Sequence, residues 1–582
     1  MSFLGVNKSL TNRCWSGPTD KNLEKAASIS KELSISILSA LQLVKLNLET
    51  EGYDKYINPK VRDLMPDPKS FLDMNKGAKR LLAAIEKKEK IAIFADYDVD
   101  GTVSASLITI WLKNFSITPT VYIPDREKEG FGPNYPAMKK LAQKNSLIIC
   151  VDCGSDSDIA IKGASEEKTD VIIIDHHRTE KKPDNAFALI NPNQMGESNF
   201  YSYLCAAGVV FLFLVHLTTL QKEKKTHKIN LLDYLDLVGL ATIADVSPLV
   251  GLNRAFVTQG LKIFKKRPCL KKLLEKHNLE KNLTEEKIAF QVAPRLNASG
   301  RLNTGLLSYQ FLIATDHKTI DEALKKIENL NLQRKELEKI IFDAANKNII
   351  GDPANNSHIV SRGKNWHKGL IGIIAARLKE NFNKPATVIT IDNENIGHGS
   401  IRSVEGVDLT IILSELKNKN ILLSGGGHKM AAGFTIDSLM IDEFNQIFSN
   451  CLKDQLKSKI EIEKLDLHGL IGIDTIDTNL VEELHLLGPF GSKVPVPIVV
   501  VPNCSVVFSK IIGGSHIICK FQRKGNDSLD AVCFNAVNNM LGEALLKKNN
   551  QLHVACQLMV DDWQGIKKPK IKIVDLAPSQ NN

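Results

Sequence analysis

The chain has 582 residues, 43% of them hydrophobic and 24% charged, which excludes a disordered or fibrous protein and calls for roughly three or four domains. A net charge of +9, from 75 basic and 66 acidic residues, permits an anionic partner. Ten scattered cysteines suit reduced cytosolic thiols, the start MSFLGVNKSLTNRCW lacks the apolar core of a secretory signal, and the longest apolar run, Cys205 to Leu217, is too short for a bilayer, so a cytoplasmic protein without membrane contact is expected.

Residues 1–75 read as an N-terminal helical segment broken by Pro59, Pro66 and Pro68. An amphipathic helix from Asn75 to Lys88 leads into Ile91-Ala92-Ile93-Phe94, a run expected of a strand buried on both faces. Asp96, Asp98 and Asp100 follow at a spacing of two, then Gly101. In an extended chain these carboxylates share a face, where they repel one another unless cations neutralise them. Helix is expected from Ser104 to Lys113, a strand from Thr120 to Pro124, a polar loop from Asp125 to Asn134 and a helix from Pro136 to Lys144. The strand Leu147–Val151 ends in Asp152, and the strand Asp170–Ile174 ends in Asp175-His176-His177. A helix over Leu231–Ile243 ends just before Asp245. Alternating strands and helices predict a parallel α/β sheet, whose ligands bind beyond the carboxyl ends of the strands, where these acids and histidines sit.

This first α/β domain is expected over 76–250, and a helical connector over 251–350. The connector holds a polar loop, Pro294 to Arg301, and a long charged helix, Lys318 to Asn346. A smaller α/β domain over 351–455 carries Trp366-His367-Lys368-Gly369, a helix from Ile371 to Asn381, Ser400-Ile401-Arg402-Ser403 and Gly425-Gly426-Gly427-His428. After a charged linker, Lys453 to Lys464, short strands over 465–577 suit a small barrel of the oligonucleotide-binding (OB) kind, with helix only near Val537–Leu546.

Carboxylates with histidine and no cysteine make a site for Mn²⁺ or Mg²⁺ rather than structural zinc. Asp98, Asp100, Asp152, His176 and Asp245 supply enough ligands for two ions with one bridging carboxylate, an arrangement suited to phosphoester hydrolysis. His177 is placed to contact phosphate. The glycines up to Gly426 and Gly427, followed by His428, let backbone amides approach an anion, and Arg295, Arg301 and Arg402 carry guanidinium forks that match phosphate oxygens. The single CxxC, Cys150 to Cys153, reads as packed thiols. The absence of a GxxxxGK[ST] stretch argues against a nucleotide-driven motor.

DYDVDG, VDCG, DHH and ADVSPL, in this order, resemble the motifs of the DHH phosphoesterase superfamily. PRLNASGRL, NWHKGLIGIIAARL, SIRS and GGGHKMAAGF resemble its accompanying DHHA1 domain, and LHLLGPFGSKVPVPIVVV is similar to the barrel entry of its single-strand-specific exonucleases. The resemblance spans about residues 30–577 and implies removal of mononucleotides from single-stranded DNA, 5′ to 3′, in recombination and repair, by a monomer using Mn²⁺ or Mg²⁺ alongside a helicase and a single-strand-binding protein. It implies that Asp96, Asp98 and Asp100 form the first motif, that Asp152 bridges, that His176 and Asp245 are ligands, and that Asp175 and His177 complete the triplet with His177 toward the scissile phosphate. Arg295, Asn297, Arg301, His367, Arg402 and His428 fall on motifs that hold the DNA backbone near its 5′ end, and Arg126 and Phe131 lie in a loop that meets the first bases. Phe94 stands where related pyrophosphatases have a ligand histidine, which argues against that activity; Ala95 and Lys493 replace common glycines without removing a ligand. Two alternatives stay open: a phosphodiesterase for short oligoribonucleotides or cyclic dinucleotides, and an inactive DNA-binding scaffold.

Overall fold

The structure is a computed structural model that describes residues 2–130, 132–222, 229–456, 463–523, 528–547, 550–563 and 566–579. The chain divides into two compact units, one of residues 66–245 and 260–460, the other of 1–65, 246–259 and 461–582. Among the described residues no single helix is long and apolar enough to cross a membrane.

The first unit contains two sheets. One is the parallel sheet expected from the alternation of elements, formed by β1 (Ile91–Ala95), β2 (Thr120–Tyr122), β3 (Leu147–Val151), β4 (Asp170–Ile174) and β5 (Ala188–Ile190) in the order β2-β1-β3-β4-β5. Every residue of β1, β3 and β5 is buried, as the continuous apolar runs require of strands covered on both faces. The register pairs Ala95 with Val151, Val151 with Ile174, and Ile174 with Ile190. Asp96, Asp152, Asp175 and Asn191 therefore stand side by side as the next row. Their backbone amides continue the ladder: Asp96 donates to Val151, Asp152 to Ile174 and Asp175 to Ile190.

Helix α1 (Val99–Lys113) starts earlier than its sequence suggested, because Asp98 caps it by accepting from the amides of Asp100 and Gly101. The three motif aspartates thus do not alternate along an extended strand. Asp96 directly follows a strand, Asp98 is a helix cap and Asp100 lies in the first helical turn. The run after Leu204 forms the buried helix α2 (Ala206–Lys222), and α3 (Leu235–Ala244) delivers Asp245 at its C-cap. The segment read as a polar loop is instead α4 (Ala293–Leu302), with Pro294 in the first turn where a missing N–H costs nothing.

The 31-residue helix α5 (His317–Lys347) leads to the second sheet: β6 (Ile359–Lys364), β7 (Ala386–Ile391), β8 (Ile396–Arg402), β9 (Leu422–His428) and β10 (Ala431–Asp437), ordered β9-β10-β8-β7-β6. Only the β6–β7 pair is parallel. The Gly425–His428 run is strand. The expected linker begins as helix to Leu456, and residues 457–462 of it lie outside those described.

The second unit is built on a five-stranded barrel of β11 (Val499–Ile512), β12 (His516–Gln522), β13 (Ser528–Cys533), β14 (Gln551–Trp563) and β15 (Ile566–Pro578), closed by pairing of β11 with β14. Three of these strands have 13 or 14 residues, longer than the short strands expected. The N-terminal segment belongs to this unit: strand Cys14–Ser16 pairs in parallel with Lys464–Asp466, and the Trp15 indole donates to Asp575 at 2.9 Å. Arg254, 3% exposed, lies 3.6 Å over the Tyr56 ring and donates to the carbonyls of Tyr56, Leu487, Gly488 and Pro489.

Replacing Arg254 with alanine leaves those carbonyls buried without a donor. Arg254→Ala is expected to destabilise the chain by about 3 kcal/mol, read as a lower urea midpoint, and an unchanged midpoint would refute this role.

Candidate active site

The aligned row of strand ends gathers the acids. The carboxylates of Asp96, Asp98 and Asp152 form one group of potential ligands, Asp100, His176 and Asp245 a second, and Asp152, His176 and His177 a third, with the ligand atoms of each group within 4.8 Å of one another. Asp152 belongs to two groups, as does His176, so both are shared between neighbouring sets of potential ligands. His176 Nε2 lies 3.3 Å from Asp152 Oδ1 and 3.8 Å from Asp100 Oδ2.

Close backbone packing fixes this geometry. A Cβ on Gly101 would stand 2.5 Å from the Asp96 carbonyl, so only glycine lets the turn of α1 pass beneath the strand end. The Val99 amide donates to Asn297 Oδ1 at 3.0 Å, tying α4 to the same turn. Both oxygens of Asp100 accept amides from the start of α2, Ala206 at 2.7 Å and Ala207 at 2.9 Å. Asp152 takes a left-handed backbone with φ of 60°, which swings its carboxylate out of the strand direction.

Burial makes the acids costly as anions. Desolvation and the neighbouring Asp98 push Asp96 up to about 7. Desolvation and Asp245 likewise push Asp100 up to about 7. Desolvation, with Asp100 and Asp98, drives Asp152 well above the usual carboxylate range. Asp96 Oδ1 and Asp152 Oδ1 are buried with no hydrogen-bond donor. Buried carboxylate oxygens without donors are the signature of cation ligands, and a set of oxygens with one or two imidazoles fits Mn²⁺ or Mg²⁺. Cys153 and Cys205 lie near these acids, but burial and the neighbouring charges push both thiols up, so they offer no thiolate.

Asp175 behaves differently. Burial raises it, but hydrogen bonding to His177 and the charges of His177 and His176 more than reverse this and hold it below the usual range. It accepts from His177 Nδ1 at 2.8 Å and from the amides of His176, His177 and Ser155. His177 in turn is raised to about 9, because the Asp175 hydrogen bond and charge outweigh its own desolvation. Asp175 is thus a brace that charges and orients His177, while His176 lies among the potential ligands.

Beside the acids stands a group of cations. The Arg126 guanidinium lies 4.9 Å from the Tyr97 ring, and a Cβ on Gly300 would collide with the Tyr97 carbonyl. Burial, with Arg126 nearby, lowers Arg301; burial, Arg301 and Arg126 lower Arg402; burial, Arg402 and His177 lower His428. These groups therefore feel one another as like charges, which an anion would relieve. Arg402 is steadied by Ser400 Oγ at 3.0 Å, and His367 Nδ1 accepts the Gly369 amide at 3.1 Å. Gly426 and Gly427 lie exposed on β9 beside His428. Arg295 is committed elsewhere, to Glu328 at 3.3 Å and to the carbonyl of Gln291, so its side chain braces α4 rather than waiting for a phosphate. The oxygen of Asn297 is likewise engaged by Val99. Phe131 lies outside the described residues.

The sequence reading missed Tyr97, Ser155, Asn191 and Asn193. The two asparagines donate to the carbonyls of His177 and His176 at 2.7 and 2.6 Å. Their signal was the apolar run Ala186 to Ile190, which ends in Asn-Pro-Asn as the other strands end in Asp.

Residues 90–242 match the DHH family, N-terminal domain, residues 355–454 the DHHA1 domain, and residues 467–575 the RecJ OB domain. The chain is 33% identical over 570 residues to the single-stranded-DNA-specific exonuclease RecJ of Bacillus subtilis, covering 96% of this chain and 70% of that one. The chain belongs to the RecJ family. The RecJ of Haemophilus influenzae is 26% identical, over 88% of this chain and 92% of its own. Among solved structures, RecJ of Thermus thermophilus in complex with Mn²⁺ shares the fold with a TM-score of 0.79 at 22% identity, over 97% of this chain and 80% of that one. An exonuclease RecJ bound to manganese matches with a TM-score of 0.57 at 26% identity, over 68% of this chain and 98% of its own.

The raised acids predict a pH dependence. Without metal, the folded chain keeps protons on Asp96 and Asp100 that the unfolded chain releases near pH 4, so stability falls as pH rises from about 4 to about 7. A bound cation replaces those protons. Added Mn²⁺ should raise Tm more at pH 8 than at pH 6, and Asp152→Asn should abolish most of the increase; equal shifts at both pH values would contradict the assignment.

Proposed function

We infer that this chain is a metal-dependent exonuclease that removes 5′-mononucleotides from single-stranded DNA, working 5′ to 3′. The observation that carries this reading is the placement of the cation group of Arg126, Arg301, Arg402 and His428 beside the buried acids. Their mutual electrostatic influence marks them as neighbours within one unit. A strand whose terminal phosphate rests on these guanidinium groups presents its next phosphodiester to the acids, so one nucleotide leaves per cut. Family membership supports the substrate, since the relatives are named single-stranded-DNA-specific exonucleases.

Asp98, Asp100, Asp152, His176 and Asp245 would hold the two cations, with Asp96 beside them. Two bound divalent ions supply an activated water at neutral pH and neutralise the attacking and leaving oxygens of the phosphodiester. The protein's own residues do the rest. His177, kept protonated through Asp175, directs Nε2–H at a phosphate oxygen. Arg301 and Arg402 fix the terminal phosphate with forked donors, and the exposed glycines at Gly426 and Gly427 let backbone approach the strand. The OB barrel gives the strand a further binding surface, which a short-oligonucleotide phosphodiesterase does not need. An inactive scaffold would have lost ligands, and all of them are present. In the cell, a helicase and a single-strand-binding protein would supply the strand to a cytoplasmic, monomeric enzyme, in recombination and repair.

A strand labelled at its 5′ or 3′ end tests the reading. Early release of the 5′ label as a mononucleotide is expected with Mn²⁺ or Mg²⁺, lost with EDTA and reduced by about a thousandfold or more in Asp152→Ala and His176→Ala. Arg402→Ala should weaken preference for a 5′-phosphorylated end. Early release of the 3′ label, or cleavage of di- and trinucleotides alone, would overturn the reading.

A further inference from the structure

The strand order β2-β1-β3-β4-β5 spreads the site across the carboxyl edge of the sheet. Arg126, which follows β2, lies at one flank, the acids that follow β1, β3 and β4 lie in the middle, and the segment that follows β5 lies at the other flank. With the terminal phosphate held on the Arg126 side, as the exonuclease reading above requires, the strand beyond the scissile bond runs toward β5.

The segment there is tied to the metal-ligand frame at both ends. At its start, Asn191 and Asn193 hold the carbonyls of His177 and His176. At its end, Ala206 and Ala207 donate their amides to Asp100. Between these anchors, Met195 is 80% exposed and Phe200 is 82% exposed. Tyr201 packs against Phe71 with ring centroids 5.8 Å apart, so this stretch of chain has a footing beside the exposed Phe200. Gly196, with φ of 89°, turns the chain between the two exposed side chains. Arg178, exposed and two residues beyond His176, adds a cation on the same flank.

We propose that Phe200 and Met195 are substrate-positioning residues that stack the bases just 3′ of the scissile phosphate, with Arg178 meeting the adjoining backbone. The occupant is the substrate strand itself, because the segment is continuous with the catalytic frame and the bridge between Thr179 and Gln194 brings its start alongside the stretch that carries Arg178, so exposed apolar groups and a cation share one region, the combination by which proteins hold single strands without reading sequence. Uncovered side chains at these positions add nothing to the core, so their truncation leaves the fold intact.

The test uses the full chain with Mn²⁺ and 5′-phosphorylated single strands bearing one abasic position. For Phe200→Ala, KM should rise about tenfold while kcat stays within about twofold, and Phe200→Trp should restore KM. An abasic site at the second or third nucleotide should slow the wild type but not slow Phe200→Ala any further, whereas an abasic site at the tenth should affect neither. Wild-type KM with undiminished abasic sensitivity in Phe200→Ala would overturn the proposal, as would loss of kcat alone with that sensitivity retained. Failure of the wild type to degrade any single strand would instead overturn the exonuclease reading beneath it.

Discussion

The site depends on the register of four parallel strands. Because Ala95, Val151, Ile174 and Ile190 stand in one row, the next residues, Asp96, Asp152, Asp175 and Asn191, converge on one edge. A one-residue slip in any strand would turn its terminal side chain to the opposite face. The apolar runs that set the register are buried on both faces, so the packing that stabilises the sheet also fixes the ligand positions. Several buried carboxylates are an unfavourable product of that packing, and divalent cations reverse the penalty.

Equal side chains in this row do unequal work because their surroundings differ. Asp175 accepts three amides and a histidine N–H and stays ionised, whereas Asp96 and Asp152 each keep an oxygen without any donor. The first therefore orients a neighbour, and the other two could serve as cation ligands. The arginines repeat the pattern. Arg295 has an acidic partner, while Arg301 and Arg402 donate to Gly369, Ser400 and Ile401 and lie among other positive groups.

Much of this was legible in the residues. Buried strands announced themselves as apolar runs, and the acids at their ends stood out because a parallel sheet binds ligands there. The reason for their convergence was not legible. Alternation along an extended chain was expected for Asp96, Asp98 and Asp100, but a helix begins at Val99, and capping by Asp98 turns the chain. Strand β5 has three residues and escaped notice, and with it Asn191 and Asn193. Arg295 and Asn297 lay in a motif that looked ready for phosphate, yet their partners, Glu328 and Val99, are distant in sequence or hidden in the backbone. Pairing of Cys14–Ser16 with Lys464–Asp466 leaves no local trace, since a parallel pair so far apart has no turn to mark it.

The order in which the ligands are made has its own consequence. The acids and imidazoles are scattered from Asp96 to Asp245, and the guanidinium groups of Arg301 and Arg402 come later still. A ribosome-bound chain that stops short of residue 245 holds the first motif and the histidines but lacks Asp245, the last of the potential ligands. One that stops before residue 402 has the acids but lacks Arg402 and His428, two of the cations proposed to hold a strand end. On the proposed assignment, the groups that would cut a strand and those that would hold its end come together only once most of the protein has been made.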